Sequence, residues 1–159
     1  MKPFVAIIGS RNSGKSTVIR SLTGAKFGQF RGTIYDLTTR REIEVIGSSP
    51  QEKVFSLADL RNVLRKATGT TNCQGVVCAL QPTVPTKRLS MEQVLHEAAA
   101  SGMAVHAYIL DPEYGGATGH AAAVAARVKS AGFASRTLDG RRFAHINAAT
   151  VNGHTRIAV

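Results

Sequence analysis

Tryptophan is absent, and aromatic residues make up only 6% of the 159-residue chain, so the interior must be built from Ile, Val, Leu and many Ala. Cysteine is nearly absent too: Cys73 and Cys78 are the two present. They are too few and too close for a disulfide scaffold, and their spacing fits neither a zinc nor a redox motif. Cys78 falls inside an apolar run and Cys73 just before it, and both read as packed, reduced thiols. No stretch of eighteen or more uncharged apolar residues occurs, which excludes a membrane-spanning helix. Met1 leads straight into an apolar segment, without the charged, apolar and small-residue layout of an export signal. The five histidines have no short metal spacing such as H-E-x-x-H, and nothing argues for a Ser-His-Asp or Cys-His hydrolase. No internal repeat or low-complexity tract stands out. With 43% apolar and 19% charged residues, wholesale disorder is excluded as well. The expectation is one compact, cytoplasmic domain spanning residues 1–159, without membrane insertion.

Acidic residues are scarce: ten Asp plus Glu face twenty Lys plus Arg, a net charge of +10. Such a balance attracts polyanions, whether nucleotides, nucleic acid or acidic proteins. The cations form no basic tail. They are spread as pairs, Arg40-Arg41, Lys87-Arg88 and Arg141-Arg142. Arg31, Arg40 and Arg41 cluster around a predicted hairpin and are the best candidates for a nucleic-acid or acidic-protein surface, against the plain alternative of a solvated face.

Phe4 to Ile8 is apolar on both faces, as a buried parallel strand should be. A Gly/Ser/Asn loop follows, then a helical pattern over about Lys15–Thr23 with Val18, Ile19 and Leu22 on one face and Gly24 as its stop. Alternation over 33–38 and 42–46 predicts an antiparallel hairpin. Ser56 is placed to cap a helix running to about Lys66, and Ser90 with Gln93 makes a capping box for another to about Ser101. Gly75–Leu80 and Met103–Leu110 read as further buried strands, and 118–131 as an Ala-rich helix. Asp139-Gly140 and Asn152-Gly153 are favoured hairpin turns, so short strands are expected near 135–138, 143–147 and 155–158. Strands alternating with helices predict an α/β three-layer sandwich around a mostly parallel central sheet, with one antiparallel β-hairpin and short C-terminal hairpins.

Chemistry concentrates in Gly9-Ser10-Arg11-Asn12-Ser13-Gly14-Lys15-Ser16, which satisfies G-x-x-x-x-G-K-[S/T] at every fixed position. A chance match somewhere in a chain of this composition has a probability on the order of 0.01. The motif also has its required context, an apolar strand before it and an amphipathic helix after it. Gly9 lets the chain leave the strand sharply, and Gly14 permits backbone to approach a phosphate. The amides of Ser10, Arg11, Asn12 and Ser13, with the helix N-terminus, would form an anion cradle. Lys15 would reach the β- and γ-phosphates, the Ser16 hydroxyl would ligate Mg²⁺, and Thr17 stands next in line for the α-phosphate.

These residues resemble the P-loop NTPase superfamily, and the order of elements is loosely similar to that of the Ras-like GTPases. The resemblance implies a nucleoside triphosphate, ATP or GTP, as ligand and Mg²⁺ as cofactor. It also implies that a threonine before the hairpin reaches the metal, for which Thr33 is the candidate. Where that family has Asp-x-x-Gly-Gln-Glu, this chain has Gly47-Ser48-Ser49-Pro50-Gln51-Glu52, keeping the Gln-Glu pair but neither Asp nor Gly. Where it has the guanine-reading N-K-x-D, only Asp111 remains. The family's last helix reads as replaced by hairpins.

Lys15 and Gln51 are therefore the catalytic candidates, Gln51 as the group that orients an attacking water or else as a plain loop amide. Asp111, ending a strand at the ligand-binding edge of an α/β sheet, is either a base-edge acceptor or a turn residue. Arg11 either faces the phosphates or points outward. The missing strand-end acid predicts slow, Mg-dependent hydrolysis, as in a switch. The alternatives are a small-molecule or nucleotide kinase, with Lys87-Arg88 in the 83–88 loop as lid cations, and a basic interaction module with a degenerate nucleotide site.

Overall fold

The computed structural model describes residues 1–51, 55–83 and 87–158. Its elements are β1 (Pro3–Ile8), α1 (Lys15–Thr23), β2 (Arg31–Tyr35), β3 (Glu42–Ile46), α2 (Leu57–Gly69), β4 (Cys73–Leu80), α3 (Met91–Ala100), β5 (Ala104–Leu110), α4 (Ala121–Ser130), β6 (Ser135–Leu138) and α5 (Ala144–Thr155). One six-stranded sheet runs in the order β2-β3-β4-β1-β5-β6. The β2–β3 pair is antiparallel, with Thr33 opposite Glu44, and every other pair is parallel. β1 thus lies inside the sheet, with β4 on one side and β5 on the other.

That central position explains why β1 is apolar throughout: successive side chains of a strand point to opposite faces, and both faces of β1 are covered. Phe4, Ala6 and Ile8 join Val76, Cys78 and Leu80 of β4 in a core under α2, α3 and α4, where Leu60, Leu64, Met91, Val94, Leu95, Val124 and Val128 are buried. Val5 and Ile7 meet the other core, built with Val18, Ile19 and Leu22 of α1 and Ala148 and Val151 of α5. The result is the expected three-layer sandwich. Both predicted caps are present. Ser56 and Asp59 bond each other's backbone amides at the start of α2, and Ser90 and Gln93 do the same for α3.

The C-terminal region differs from the sequence expectation. β6 forms where the first short strand was predicted, but the Phe143–Asn147 and Thr155–Ala158 hairpin strands do not form; residues 144–155 are the helix α5. Asn147, Ala148 and Val151 recur at helical spacing on its buried side. Their packing against α1 outweighs Gly153, whose cost inside a helix is about 1 kcal/mol. Asn147 also donates its side-chain amide to the Asp139 carbonyl at 2.9 Å, which ties α5 to the end of β6. The family's closing helix, read as missing, is therefore present.

Candidate phosphate-binding site

β1 delivers Gly9 to the C-terminal edge of the sheet, where its N–H donates to the Leu80 carbonyl at 3.0 Å. The chain then coils: the Ser13 N–H donates to the Ser10 carbonyl at 3.2 Å, and Asn12 and Gly14 take left-handed φ values of 61° and 98°. At Gly14 a side chain would be strained by that φ. At Gly9 the limit is space, since a Cβ there would stand 2.3 Å from Ser13 Oγ. Ser13 is fully buried beneath the turn, and its Oγ has no hydrogen-bond partner among the described residues.

Gly14 is the N-cap of α1, which has no side-chain cap and no acid in its first turn. An uncapped helix N-terminus is electropositive and attracts anions. Lys15 is 5% exposed, and its Nζ donates to the Gly9 and Ser10 carbonyls at 2.9 and 2.6 Å. The ammonium thus spans the loop from within. Residues 11–17, with Gln29, Gly47 and Tyr114, line a cavity of about 330 Å³. Arg11 and Thr17 both reach it, and Arg11 is exposed on its rim. A groove of about 350 Å³ lies elsewhere, between the end of α1 and the β2–β3 hairpin, and carries Leu22, Ile34, Ile43 and Ile157. Size does not separate the two. The chemistry of the walls does, because only the first is built from the loop and a helix N-terminus.

Three sequence candidates lie away from this cavity. Thr33 sits on β2, where its hydroxyl donates to Glu44 Oε1 at 2.7 Å and accepts from Lys66 Nζ at 2.6 Å. Pairing with β3 and α2 holds it in that polar cluster, outside the residues that line the cavity. Asp111 accepts from the Gly119 and Ala121 amides at 3.2 and 2.9 Å. The Ala121 amide foremost, then the Thr118 hydroxyl and the Gly119 amide, hold its carboxyl below the usual range. It anchors the start of α4 and stands outside the residues that line the cavity. Gln51 is buried, and its Oε1 accepts from the Gln81 N–H at 3.3 Å while Nε2 has no hydrogen-bond partner among the described residues. It does not line the cavity. Glu52 lies outside the described residues, as do 84–86 at the centre of the 83–88 loop.

Sequence reasoning missed Glu113 and Tyr114. Glu113, 5% exposed, comes from the loop after β5, accepts from the Ser10 N–H at 2.7 Å and bonds the Ser10 hydroxyl. His120 Nε2 lies 3.5 Å from it while bonding the Leu110 carbonyl at 2.8 Å. The Tyr114 N–H donates to the Ser13 carbonyl at 2.9 Å. The loop after β6 braces this one in turn, through the Gly140 N–H to the Pro112 carbonyl at 2.8 Å. Nothing local in the residues 111–117 announces these contacts. The one available signal was their place after β5, the strand beside β1.

An α/β sheet with this loop between its central strand and α1 defines a P-loop nucleotide-binding domain. A family model described as 50S ribosome-binding GTPase matches residues 4–103, more than half of the chain. The chain belongs to that GTPase family. No curated protein matches it in sequence. Among solved structures it is similar to a de novo designed protein of P-loop NTPase fold, determined by solution NMR, with a TM-score of 0.48, 11% identity, and coverage of 97% of this chain and 95% of that one. Among the described residues no helix is long and apolar enough to cross a membrane, and no group of three or more His, Cys, Asp or Glu is placed to hold a metal ion.

Proposed function

We propose that this chain binds GTP or ATP with the phosphates in the 9–17 loop and hydrolyses it slowly with Mg²⁺, as a switch. The observation that carries this is Lys15: a buried ammonium held across the loop by the carbonyls of Gly9 and Ser10, on the wall of a cavity at a helix N-terminus. Incoming phosphoryl oxygens offer stronger, charged acceptors for the same protons. Lys15 then neutralises charge that grows on the phosphates as the terminal bond breaks.

For the metal, the protein itself offers the Ser16 hydroxyl on the cavity wall. A Cβ at position 28 would stand 3.3 Å from Ser16 Oγ, so glycine there keeps the space beside that hydroxyl open. One hydroxyl fits an ion that arrives already held by phosphates. Mg²⁺ bound there would supply charge neutralisation on phosphate oxygens. Neither Asp nor Glu is among the residues lining the cavity, which supports a low rate. Gln51 would act from a neighbouring position, through the Nε2 that has no partner among the described residues. The test is phosphate release from MgGTP and MgATP: slow, Lys15-dependent release supports the proposal. Gln51→Ala should lower the turnover rate and leave nucleotide affinity unchanged. Transfer of the phosphoryl group to an added acceptor, with none released to water, would count against it.

The family's description names binding to the 50S ribosome. For this chain the net charge of +10 supports a polyanionic partner, ribosomal RNA included, in the cytoplasm. Arg40 and Arg41, both exposed beside the hairpin, are the first residues to test.

A further inference from the structure

Three features set the base end of the site apart from its phosphate end. First, the Asp111 carboxylate accepts from the amides of Gly119 and Ala121, one on each oxygen, and so serves the start of α4. Second, Tyr114 is 72% exposed, whereas Tyr108 on β5 is fully buried. Third, Tyr114 is held by its backbone rather than its ring. Its N–H bonds the Ser13 carbonyl at 2.9 Å, and its Cβ lies 3.1 Å from where a Cβ on Gly14 would be. Tyr114 is thus an exposed aromatic residue whose backbone is anchored on the wall of the phosphate cavity.

A flat, exposed aromatic next to a phosphate cradle suits one kind of contact. Base-on-aromatic stacking is insensitive to base identity, because every base has a π-face. We propose that Tyr114 is the platform on which the nucleobase stacks, and that the site takes purine nucleoside triphosphates with little discrimination between guanine and adenine. The proposal rests on the nucleotide reading above and adds to it the source of base affinity. Phosphates are held by the loop and by Lys15; the ring of the base is held by its face, and its edges go unread.

The test is a set of titrations with MgGTP, MgATP and inorganic tripolyphosphate against the wild type, Tyr114→Phe and Tyr114→Ala. Alanine keeps the amide bonded to Ser13 and the Cβ against Gly14, so the melting temperature of that variant serves as the check on folding. GTP and ATP should bind the wild type within about tenfold of each other. Tyr114→Ala should weaken both by roughly 10- to 100-fold, the size of a lost base stack, and leave tripolyphosphate unchanged; Tyr114→Phe should bind as the wild type. A preference for GTP over ATP beyond about 100-fold would overturn the proposal, since base-edge readers reach discrimination of that size. So would unchanged nucleotide binding in Tyr114→Ala, or an equal loss for tripolyphosphate. In those cases the phosphate cradle stands. Failure of all three ligands to bind the wild type would bring down the nucleotide reading and this proposal with it.

Discussion

Removing the Glu113 side chain should loosen the phosphate loop more than any surface change. The carboxylate is 5% exposed, accepts from the Ser10 N–H at 2.7 Å and also bonds the Ser10 hydroxyl. A hydrogen bond to a charged group contributes about 1.5–3 kcal/mol. Ser10 itself is exposed, so water can reclaim its hydroxyl and only the amide bond counts in full. His120 keeps its bond to the Leu110 carbonyl at 2.8 Å, so little is lost on that side. Glu113→Ala should therefore destabilise the fold by about 2 kcal/mol, and Glu113→Gln, which retains one acceptor oxygen, by about 1 kcal/mol. In a domain of this size the first value lowers the melting temperature by roughly 4–8 °C. Urea unfolding measures it as a shift of midpoint at constant slope. Triphosphate binding should weaken by about tenfold, because an unbraced loop must be ordered when the ligand arrives. A stability change under about 0.5 kcal/mol, with affinity unaltered, would refute the idea that Glu113 holds this loop.

Two further outcomes follow from buried and half-buried titratable groups. Burial pushes the thiols of Cys73 and Cys78 up, so neither ionises readily in the folded protein. A water-soluble disulfide reagent should react with both only after unfolding, and prompt stoichiometric labelling of the native chain would contradict their placement. Burial, together with the nearby charges of His154 and Arg136, holds the His106 imidazole below its usual 6.5. The unfolded chain therefore binds that proton more readily than the folded one, and stability should fall as the pH drops through about 6.5 and flatten once the folded group is also protonated. His106→Asn should reduce this part of the slope between about pH 7 and pH 5; an unchanged slope would assign it to other groups.

How far the sequence was legible depends on whether a residue's partners are its chain neighbours. The phosphate loop was readable because strand, turn and helix are consecutive, and α1 begins at Lys15 as the pattern predicts. The Ser56 and Ser90 caps are local for the same reason. α5 was misread because Asn152-Gly153 favours a turn in isolation, while the burial of Ala148 and Val151 against α1 is a tertiary effect. The surroundings of Thr33 and Asp111 were not legible because their partners, Lys66 and the Ala121 amide, stand 33 and 10 residues away. Glu113 lies 103 residues from Ser10, and no spacing rule joins them.

The central claim, that the 9–17 loop grips the phosphates of a nucleotide through its amides and Lys15, is tested most directly by calorimetric titration of MgGTP and MgATP into the wild type and Lys15→Ala. Saturable binding of at least one nucleotide at a single site is required of the wild type. The variant, with its melting curve little changed, should bind roughly 10- to 100-fold more weakly, the loss of a charge-assisted hydrogen bond. Equal dissociation constants for the two proteins would contradict the claim.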